Sequence, residues 1–283
     1  MSKFRLEAAC TSIEEIVRRS GTSFFWAMRG LPYKKRASMY AIYSFCRIVD
    51  DIADGQDDSY VKMSSLERWR GEIDNLYGFN PTHIVTKELL KSVGLYGLKK
   101  QDFYDILDGM KMDVSEGIRI QNLEALEVYC DKVACAVGRL AVRVFGLQEK
   151  VGEELSFAQG QAMQLTNILR DIGEDLGQNR VYLPIDILQL HGIETCDNIE
   201  IGKHPKLPEV CKFLAHIAEK RYVEARLAMK KCNRLDVRSA RMMLEVYYLV
   251  LSKLKKQGWV NISRRVKLSK GEIIMSILRY GIF

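Results

Sequence analysis

The sequence predicts an all-α fold, and three observations support this prediction. Only five prolines occur in 283 residues, so few helices need to be interrupted. Long stretches carry apolar residues at the spacing of an amphipathic helix, and few segments show the two-residue alternation of a strand. No linker rich in proline, glycine or serine divides the chain, and no internal repeat is evident. We therefore expect one helical domain spanning residues 1–283.

Capping residues, glycines and prolines set the boundaries of the predicted helices. Pro32 precedes a long helix, and Gly55 can terminate it. A turn of small residues is expected at 20–24, and a loop is expected after Gly177. In chain order, the predicted helices cover residues 13–20, 37–53, 64–77, 86–93, 100–115, 123–145, 149–172, 209–231 and 238–257.

Composition favours a reduced compartment. Seven cysteines are scattered without a CxxC pair, which is typical of reduced, mostly buried thiols. The first residues are polar and charged, without the apolar segment of a signal peptide. No apolar run reaches the roughly 18 residues that predict a membrane span. We therefore expect a cytoplasmic protein.

The formal net charge of +7 includes a basic stretch near the C-terminus. Between residues 251 and 270 there is no acidic residue. Such a stretch suits nucleic acid, anionic lipid or a phosphorylated substrate, or it is simply a solvated helix end. No nucleic-acid-binding motif occurs and no aromatic residues alternate with the basic ones, so no nucleic-acid partner is expected. Peripheral membrane contact stays a hypothesis. The basic residues are Lys253, Lys255, Lys256, Arg264, Arg265, Lys267 and Lys270.

Two acidic clusters of the form DxxxD lie on predicted helices. Asp50 and Asp54 form the first pair, and Asp171 and Asp175 form the second. Residues four apart share a helical face, and like charges at this spacing cost a helix roughly 0.2–0.5 kcal/mol per pair. A hard cation can compensate for this cost, because Mg²⁺ binds through one or two carboxylates together with substrate phosphates. Two such helices facing each other would hold a diphosphate between them.

Helical phase extends each acidic pair into a polar stripe on an otherwise apolar helix. The spacings of 4, 3 and 4 in one stripe, and of 3, 4 and 4 in the other, keep each stripe on one face. Both stripes combine carboxylates with side chains that bind oxyanions. Asp51 points roughly 100° away from Asp50, so we expect it to support the site without binding metal. Asp108 and Asp113 are five residues apart, and we assign them to structure or solvent. The stripes are Tyr43-Arg47-Asp50-Asp54 and Gln164-Asn167-Asp171-Asp175.

From about Ser20 to Tyr280 the chain resembles the squalene/phytoene synthase family of head-to-head prenyl transferases. The resemblance rests on YAIYSFCRIVDDIAD at 40–54, QLTNILRDIGED at 164–175 and RVYLP at 180–184. It implies the all-α isoprenoid synthase bundle, with a central active-site cavity. It also implies Mg²⁺ as the required metal, with Mn²⁺ as an alternative.

Shorter segments favour one bacterial branch of the family. SFFWAMR at 23–29, PTH at 81–83, DGMKMD at 108–113 and YCDKVA at 129–134 are similar to enzymes that make presqualene diphosphate for squalene and hopanoid biosynthesis. The resemblance implies that two farnesyl diphosphates condense with release of diphosphate. We expect no NADPH requirement, and we expect the product to pass to a downstream squalene-forming enzyme.

The resemblance also assigns roles to individual residues. As catalytic groups it implies Asp50, Asp54, Asp171, Asp175, Arg47 and Arg170. As metal ligands it implies Asp50, Asp54, Asn167, Asp171 and Asp175. As substrate-binding residues it implies Ser23, Phe24, Tyr43, Tyr129, Gln164, Asn167, Tyr182, Tyr247 and Arg265.

Alternative functions stay open at this point. Phytoene synthases join longer prenyl chains, and squalene or dehydrosqualene synthases carry the reaction further on the same fold. A non-catalytic prenyl-lipid-binding subunit belongs to a different class, and the intact carboxylates of both clusters argue against it. A nucleic-acid-binding helical module has only the net charge in its favour.

Overall fold

The computed structural model describes residues 13–19, 24–115 and 117–281. Within these ranges the chain is helical apart from its loops, and a single isolated β-bridge joins Arg119 to Val181. No helix in the described ranges is both long and apolar enough to cross a bilayer. The helices are α1 (Ile13–Arg19), α2 (Phe24–Arg29), α3 (Tyr33–Ala53), α4 (Ser59–Tyr77), α5 (Ile84–Tyr96), α6 (Lys100–Val114), α7 (Leu123–Cys130), α8 (Ala136–Phe145), α9 (Glu149–Gly177), α10 (Ile185–Leu190), α11 (Asn198–Lys203), α12 (Leu207–Lys230), α13 (Arg238–Gln257) and α14 (Lys270–Gly281).

The all-α prediction is confirmed, and the main differences concern short helices and helix ends. Four helices, α2, α10, α11 and α14, were not predicted, and the first three have only six residues each, too few for a clear periodic signal. The predicted turn at 20–24 lies mostly outside the described residues, but α2 already begins at Phe24. The helix predicted to end at residue 172 continues to Gly177, so the whole second DxxxD motif is helical.

The helix predicted at 123–145 is interrupted by one π-helical turn, Asp131–Cys135. A π-helical turn inserts an extra residue and shifts the phase of the side chains that follow, and such turns are often found at functional sites. This one packs against α9, where Gly160 makes room for it: a Cβ on Gly160 would lie 2.7 Å from Cys135 Cα.

α9 lies at the centre of the molecule. It packs against α8, α12, α13 and the π-helical turn. One buried cluster surrounds α9, α12 and α13, and a second joins α3 to α4, α5 and α6. Burial of these apolar faces is the main force that holds long helices in place. The two helices that carry the DxxxD motifs, α3 and α9, are therefore each anchored in a core.

The end of α3 is fixed by the residues that follow the first acidic motif. The Asp54 N–H donates to the Asp50 carbonyl at 2.9 Å, which closes the final turn. After Gly55 the chain turns, and the Asp58 side chain caps α4 by accepting from the Val61 N–H at 2.9 Å. Asp50 and Asp54 thus lie in the last turn of a well-defined helix.

Candidate active site

An apolar cavity of about 280 Å³ lies between α2, α3, α8, α9 and α13. On α9 its lining begins at Ser156 and ends at Asn167, which corresponds to about 16 Å of helix. Asp171 and Asp175 follow on the same face within the next two turns. The second acidic pair therefore lies directly beyond one end of the cavity.

α3 has the same arrangement. Met39, Tyr43 and Cys46 line the cavity, and Asp50 and Asp54 follow on the same helix toward its C-terminal end. On both helices, the polar stripe predicted from the sequence therefore begins in the lining of the apolar cavity. It ends, toward the C-terminus, with its two carboxylates. The cavity has an acidic end and an apolar body.

The first acidic cluster is paired mainly with arginine. Arg47 donates to both carboxylate oxygens of Asp51, one at 3.1 Å, and reaches Asp50 only at 3.4 Å. The Asp50 side chain stays 48% exposed. Asp51 therefore holds the guanidinium in place, while Asp50 is left with little hydrogen bonding.

Asp54 is paired across the site. Arg180, which follows α9, donates to Asp54 Oδ1 at 2.8 Å and to the Ala53 carbonyl at 3.3 Å. The contact joins the end of α3 to the loop after the second motif. Arg180 was recognised only as part of the RVYLP segment, and no role in the site was predicted for it.

The second cluster is held by two arginines. Arg170 donates to both oxygens of Asp171, at 2.9 and 2.6 Å. Arg265 approaches the same carboxylate at 2.8 Å and also pairs with Glu174 at 3.0 Å. The Asp171 side chain is only 15% exposed. Arg170, Asp171 and Arg265, three residues that the resemblance assigns to the site, thus lie together in the structure.

Gly173 allows Arg265 to reach this position. A Cβ on Gly173 would lie 2.6 Å from the Ile262 carbonyl oxygen, so the 258–266 loop can approach α9 only because no side chain is there. The pattern of the acidic motif gave no reason to expect this constraint.

Asp113, which the sequence assigned to structure or solvent, lies beside the acidic end of the cavity, a position that its spacing did not predict. Its partly buried carboxylate lies near both acidic pairs and accepts from the Tyr182 hydroxyl at 2.6 Å and the Tyr129 hydroxyl at 3.0 Å. The sequence spacing to Asp108 was misleading, because the partners of Asp113 come from other helices. Asp108 does make surface ion pairs, with Arg70 among others.

Three carboxylates at this end of the cavity bind protons unusually tightly. Partial desolvation, together with the charge of Asp54, raises the pKa of Asp50 to about 7. Burial and the charge of Asp171 raise the pKa of Asp175 to about 7. Burial raises the pKa of Asp113 to about 6, against the hydrogen bonds from its two tyrosines. Because Asp113 also raises the pKa of both Asp50 and Asp175, the two stripes face a shared region of negative charge.

The donor set in this region suits a hard divalent cation. Carboxylate and amide oxygens are the ligands that Mg²⁺ prefers, and Mg²⁺ keeps several waters or phosphate oxygens. Asn167 Oδ1 is buried and accepts no hydrogen bond from the described residues, so it is free to bind a cation or its water. Among these residues no three His, Cys, Asp or Glu side chains form a ready metal cage. The residues fit a metal that also needs ligands from the substrate.

The other predicted substrate-binding residues line the cavity or lie beside its acidic end, with two exceptions. Gln164, Asn167, Tyr43 and Tyr247 line it. Burial raises the pKa of Tyr247, against hydrogen bonds with Arg170 and Asn167.

Tyr129 and Tyr182 form a pair beside the acidic end. Their rings stack with centroids 4.9 Å apart, and both are buried. Ser23 and the Phe24 side chain are the two exceptions, since both lie outside the described part of the chain.

The fold and this site together define a helical transferase of prenyl groups. A family model described as squalene/phytoene synthase matches residues 17–272. The chain belongs to the squalene/phytoene synthase family.

Relatives and solved structures agree with this assignment. The chain is 43% identical to presqualene diphosphate synthase from Rhodopseudomonas palustris over 93% of its own length and 94% of the relative's. It is 40% identical to presqualene diphosphate synthase from Sinorhizobium fredii, over 93% and 94% of the two chains. A crystal structure of a dehydrosqualene synthase in complex with ligand superposes with a TM-score of 0.84 at 25% identity, covering 95% and 94% of the chains.

Proposed function

We propose that this enzyme, folded as one domain, condenses two farnesyl diphosphates head to head into presqualene diphosphate. The observation that carries the proposal is the apolar cavity whose acidic end is formed by the two DxxxD helices. The similarity to two presqualene diphosphate synthases over nearly the whole chain supports the choice of substrate and product.

The acidic end would bind the diphosphate that leaves. Asp50, Asp54, Asn167, Asp171 and Asp175 would hold Mg²⁺ or Mn²⁺. The bound metal would supply Lewis-acid stabilisation of the departing phosphate oxygens. Diphosphate would also bring negative charge into a region where neighbouring carboxylates already raise one another's pKa, so cations would be needed to offset the repulsion.

Arginines would contribute fixed positive charge and paired N–H donors. Arg47 and Arg170 lie at the boundary between the cavity and the carboxylates, and Arg265 approaches from the 258–266 loop. A planar guanidinium can bind phosphate oxygens in a bidentate manner without losing its charge. These arginines would orient the diphosphate so that its carbon–oxygen bond breaks over the cavity.

The cavity would then protect the allylic cation. Loss of diphosphate leaves the electron pair of the C–O bond on the leaving group and a cation on the first farnesyl chain. Apolar walls exclude water, and the rings of Tyr43 and Tyr247 can stabilise positive charge through their faces. The cation attacks the double bond of the second chain, and loss of one proton closes the cyclopropane ring of the product.

The departing diphosphate is the base that this site favours for that proton. The pKa of Tyr129 and that of Tyr182 are both raised by burial and by Asp113, so their phenolate forms are scarcely populated. Neutral tyrosine hydroxyls are poor proton acceptors. Tyr129 and Tyr182 would therefore serve as hydrogen-bonding and stacking groups, held in place by Asp113.

Product analysis tests the proposal. Purified enzyme is incubated with Mg²⁺ and either farnesyl or geranylgeranyl diphosphate, each with and without NADPH. We expect presqualene diphosphate from the C15 substrate, unchanged by NADPH and available to a separate squalene-forming enzyme. Phytoene from the C20 substrate, or squalene or dehydrosqualene from the C15 substrate, would contradict the proposal. Inert substrates would favour the prenyl-binding subunit.

A further inference from the structure

Three of the seven basic residues at 251–270 are occupied by internal ion pairs. Lys253 binds Glu272 at 2.7 Å, and Lys255 binds Glu219. Arg265 is committed to Asp171 at 2.8 Å. The clearest basic stretch in the sequence therefore offers at most four of its seven positive charges to an external anionic surface.

A second basic surface forms where α2, the start of α13 and α14 meet. We call it the arginine–aromatic face. Its exposed side chains are Trp26, Arg29, Tyr33, Arg241, Met275 and Arg279. These residues are far apart in sequence, so no single segment reveals the surface.

Direct contacts join α2, α13 and α14 into one face. Tyr33, the first residue of α3, adjoins this face through Arg36, which donates to the Arg29 carbonyl at 3.4 Å and lies 5.9 Å from the Tyr33 ring centroid. Arg238 donates to the Gly30 carbonyl at 2.9 Å, and the Ser239 hydroxyl donates to the Ala27 carbonyl at 2.8 Å. Arg241 and Arg279 lie 5.8 and 5.5 Å from the Tyr280 ring centroid, which joins α13 to α14. The face is thus held together by hydrogen bonds and cation–π contacts.

Positive charge predominates on the arginine–aromatic face. Residues 24–36 contain four basic residues and no acidic one. Among the described residues, only Lys35 of these four forms an ion pair, with Asp236 at 3.1 Å. The single acidic residue of α14, Glu272, is bound to Lys253. The neighbouring α1 adds two acidic and two basic side chains and so no net charge. An anionic surface complements this pattern.

The aromatic residues have the positions expected at a lipid headgroup layer. Trp26 is 48% exposed, with the Arg29 guanidinium 5.5 Å from its ring. Tyr33 and Met275 are more exposed still. Tryptophan and tyrosine beside arginine are enriched at membrane interfaces, because these side chains have an apolar body and a polar or charged end.

One helical layer separates this face from the cavity. α2 presents Ala27 and Met28 to the cavity and Trp26 to the outside, while α13 presents Ala240 and Met243 inward and Arg241 outward. A bilayer bound to this face would lie next to the wall of the apolar pocket. Long prenyl chains partition into bilayers, so this position shortens their path to and from the cavity.

We propose that the arginine–aromatic face binds peripherally to an anionic lipid bilayer. Arg29, Arg241 and Arg279 attract the headgroups, and Trp26, Tyr33 and Met275 enter the interface. Binding by a few basic residues and shallow aromatic insertion is reversible and weakens as salt screens the charges.

Vesicle flotation with two matched triple variants tests the proposal. Arg29→Gln/Arg241→Gln/Arg279→Gln removes three charges from the face, and Lys256→Gln/Arg264→Gln/Lys267→Gln removes three exposed charges from the 251–270 stretch. Vesicles of phosphatidylcholine with phosphatidylglycerol are used at low salt, without substrate. Each basic residue near an anionic surface strengthens binding by about fivefold, so we expect the first variant to bind at least about tenfold more weakly. The second should stay close to wild type.

Tryptophan fluorescence gives an independent readout. Of the three tryptophans, Trp69 and Trp259 are only 9% and 4% exposed, so a lipid quencher reports mainly on Trp26. We expect brominated lipid to quench the wild-type protein and to have little effect on Trp26→Phe.

Three outcomes would overturn the proposal: no flotation at low salt, equal losses in the two triple variants, or no quenching of bound protein. Turnover in detergent solution is measured in parallel. Failure of membrane binding therefore gives a different result from failure of the proposed condensation.

Discussion

The two DxxxD helices carry the same motif in different surroundings. On α9 the motif is internal to the helix, and Asp171 is clasped by Arg170 and Arg265. On α3 the motif ends the helix, and Asp54 is held by Arg180, which belongs to the opposite side of the site. In each pair one carboxylate accepts an arginine hydrogen bond of 2.8 Å or less, and the other, Asp50 or Asp175, has its pKa raised to about 7.

This difference indicates how each half is organised. The half of the site on α9 is preorganised by Arg170 and by Arg265 from the adjoining loop. The half on α3 depends on Arg180, which reaches Asp54 from the other side of the site.

In both halves one carboxylate, Asp50 or Asp175, has no arginine among the described residues that fully neutralises its charge. Cations that bridge the two halves would supply the missing positive charge. Substitution of Asp171 should therefore lower both the stability of the protein and its turnover. Substitution of Asp54 should lower mainly the turnover.

The largest expected effect comes from neutralising one carboxylate in each half. Asp54→Asn and Asp171→Asn should each lower kcat by about a thousandfold or more, because each removes metal-mediated stabilisation of the leaving group. Circular dichroism should show unchanged helical content in both. Asp171→Asn should also lower Tm by about 2–4 °C, since two arginines lose a charged acceptor, whereas Asp54→Asn should change it little.

Glu174→Gln provides a control in the same turn of α9. Glu174 is exposed and pairs only with Arg265 among the contacts described above, so turnover should stay within severalfold of wild type. Wild-type rates in both aspartate variants would refute the metal assignment. Equal Tm losses in both would refute the difference between the two halves.

An intermediate effect is expected from moving the loop that carries Arg265. Gly173→Ala places a Cβ 2.6 Å from the Ile262 carbonyl, so the loop must shift, at a cost of about 1–3 kcal/mol in the free energy of unfolding. We expect about a tenfold loss in kcat/KM, measured together with chemical denaturation. Gly177→Ala is the matched control on α9, because its Cβ would meet nothing within 4 Å. Similar kcat/KM values and similar stabilities of the two variants would argue against a role for the close contact between Gly173 and the loop.

The smallest effect concerns pH and stability without metal. The pKa of Asp50 and that of Asp175 are raised above their unfolded values, so the folded state binds more protons than the unfolded state between about pH 4 and 7. Stability in EDTA should therefore fall as pH rises through this window. We expect Tm to be a few degrees lower at pH 8 than at pH 6.

Asp50→Asn isolates this contribution. An amide cannot acquire the unfavourable charge, so at pH 8 in EDTA the variant should melt about 2–4 °C above wild type and depend less on pH. The same substitution should impair turnover. A lower Tm at pH 8 would show that Asp50 is stabilised in its charged form.

The helical period alone predicts the two stripes, because all four residues of each stripe lie on a single helix. Asp113 was missed because its partners, Tyr129 and Tyr182, come from elsewhere in the chain. Arg180 was missed for a similar reason, since its role depends on the end of α3. The π-helical turn and the tight contact at Gly173 depend on packing between elements, which no local pattern encodes.

Calorimetric titration with inorganic diphosphate tests the central claim most directly, that the two stripes jointly bind a metal–diphosphate group. We predict binding to the wild-type enzyme in Mg²⁺, none in EDTA, and a large loss of affinity in both Asp54→Asn and Asp171→Asn. Undiminished binding in EDTA, or in either variant, would contradict the account.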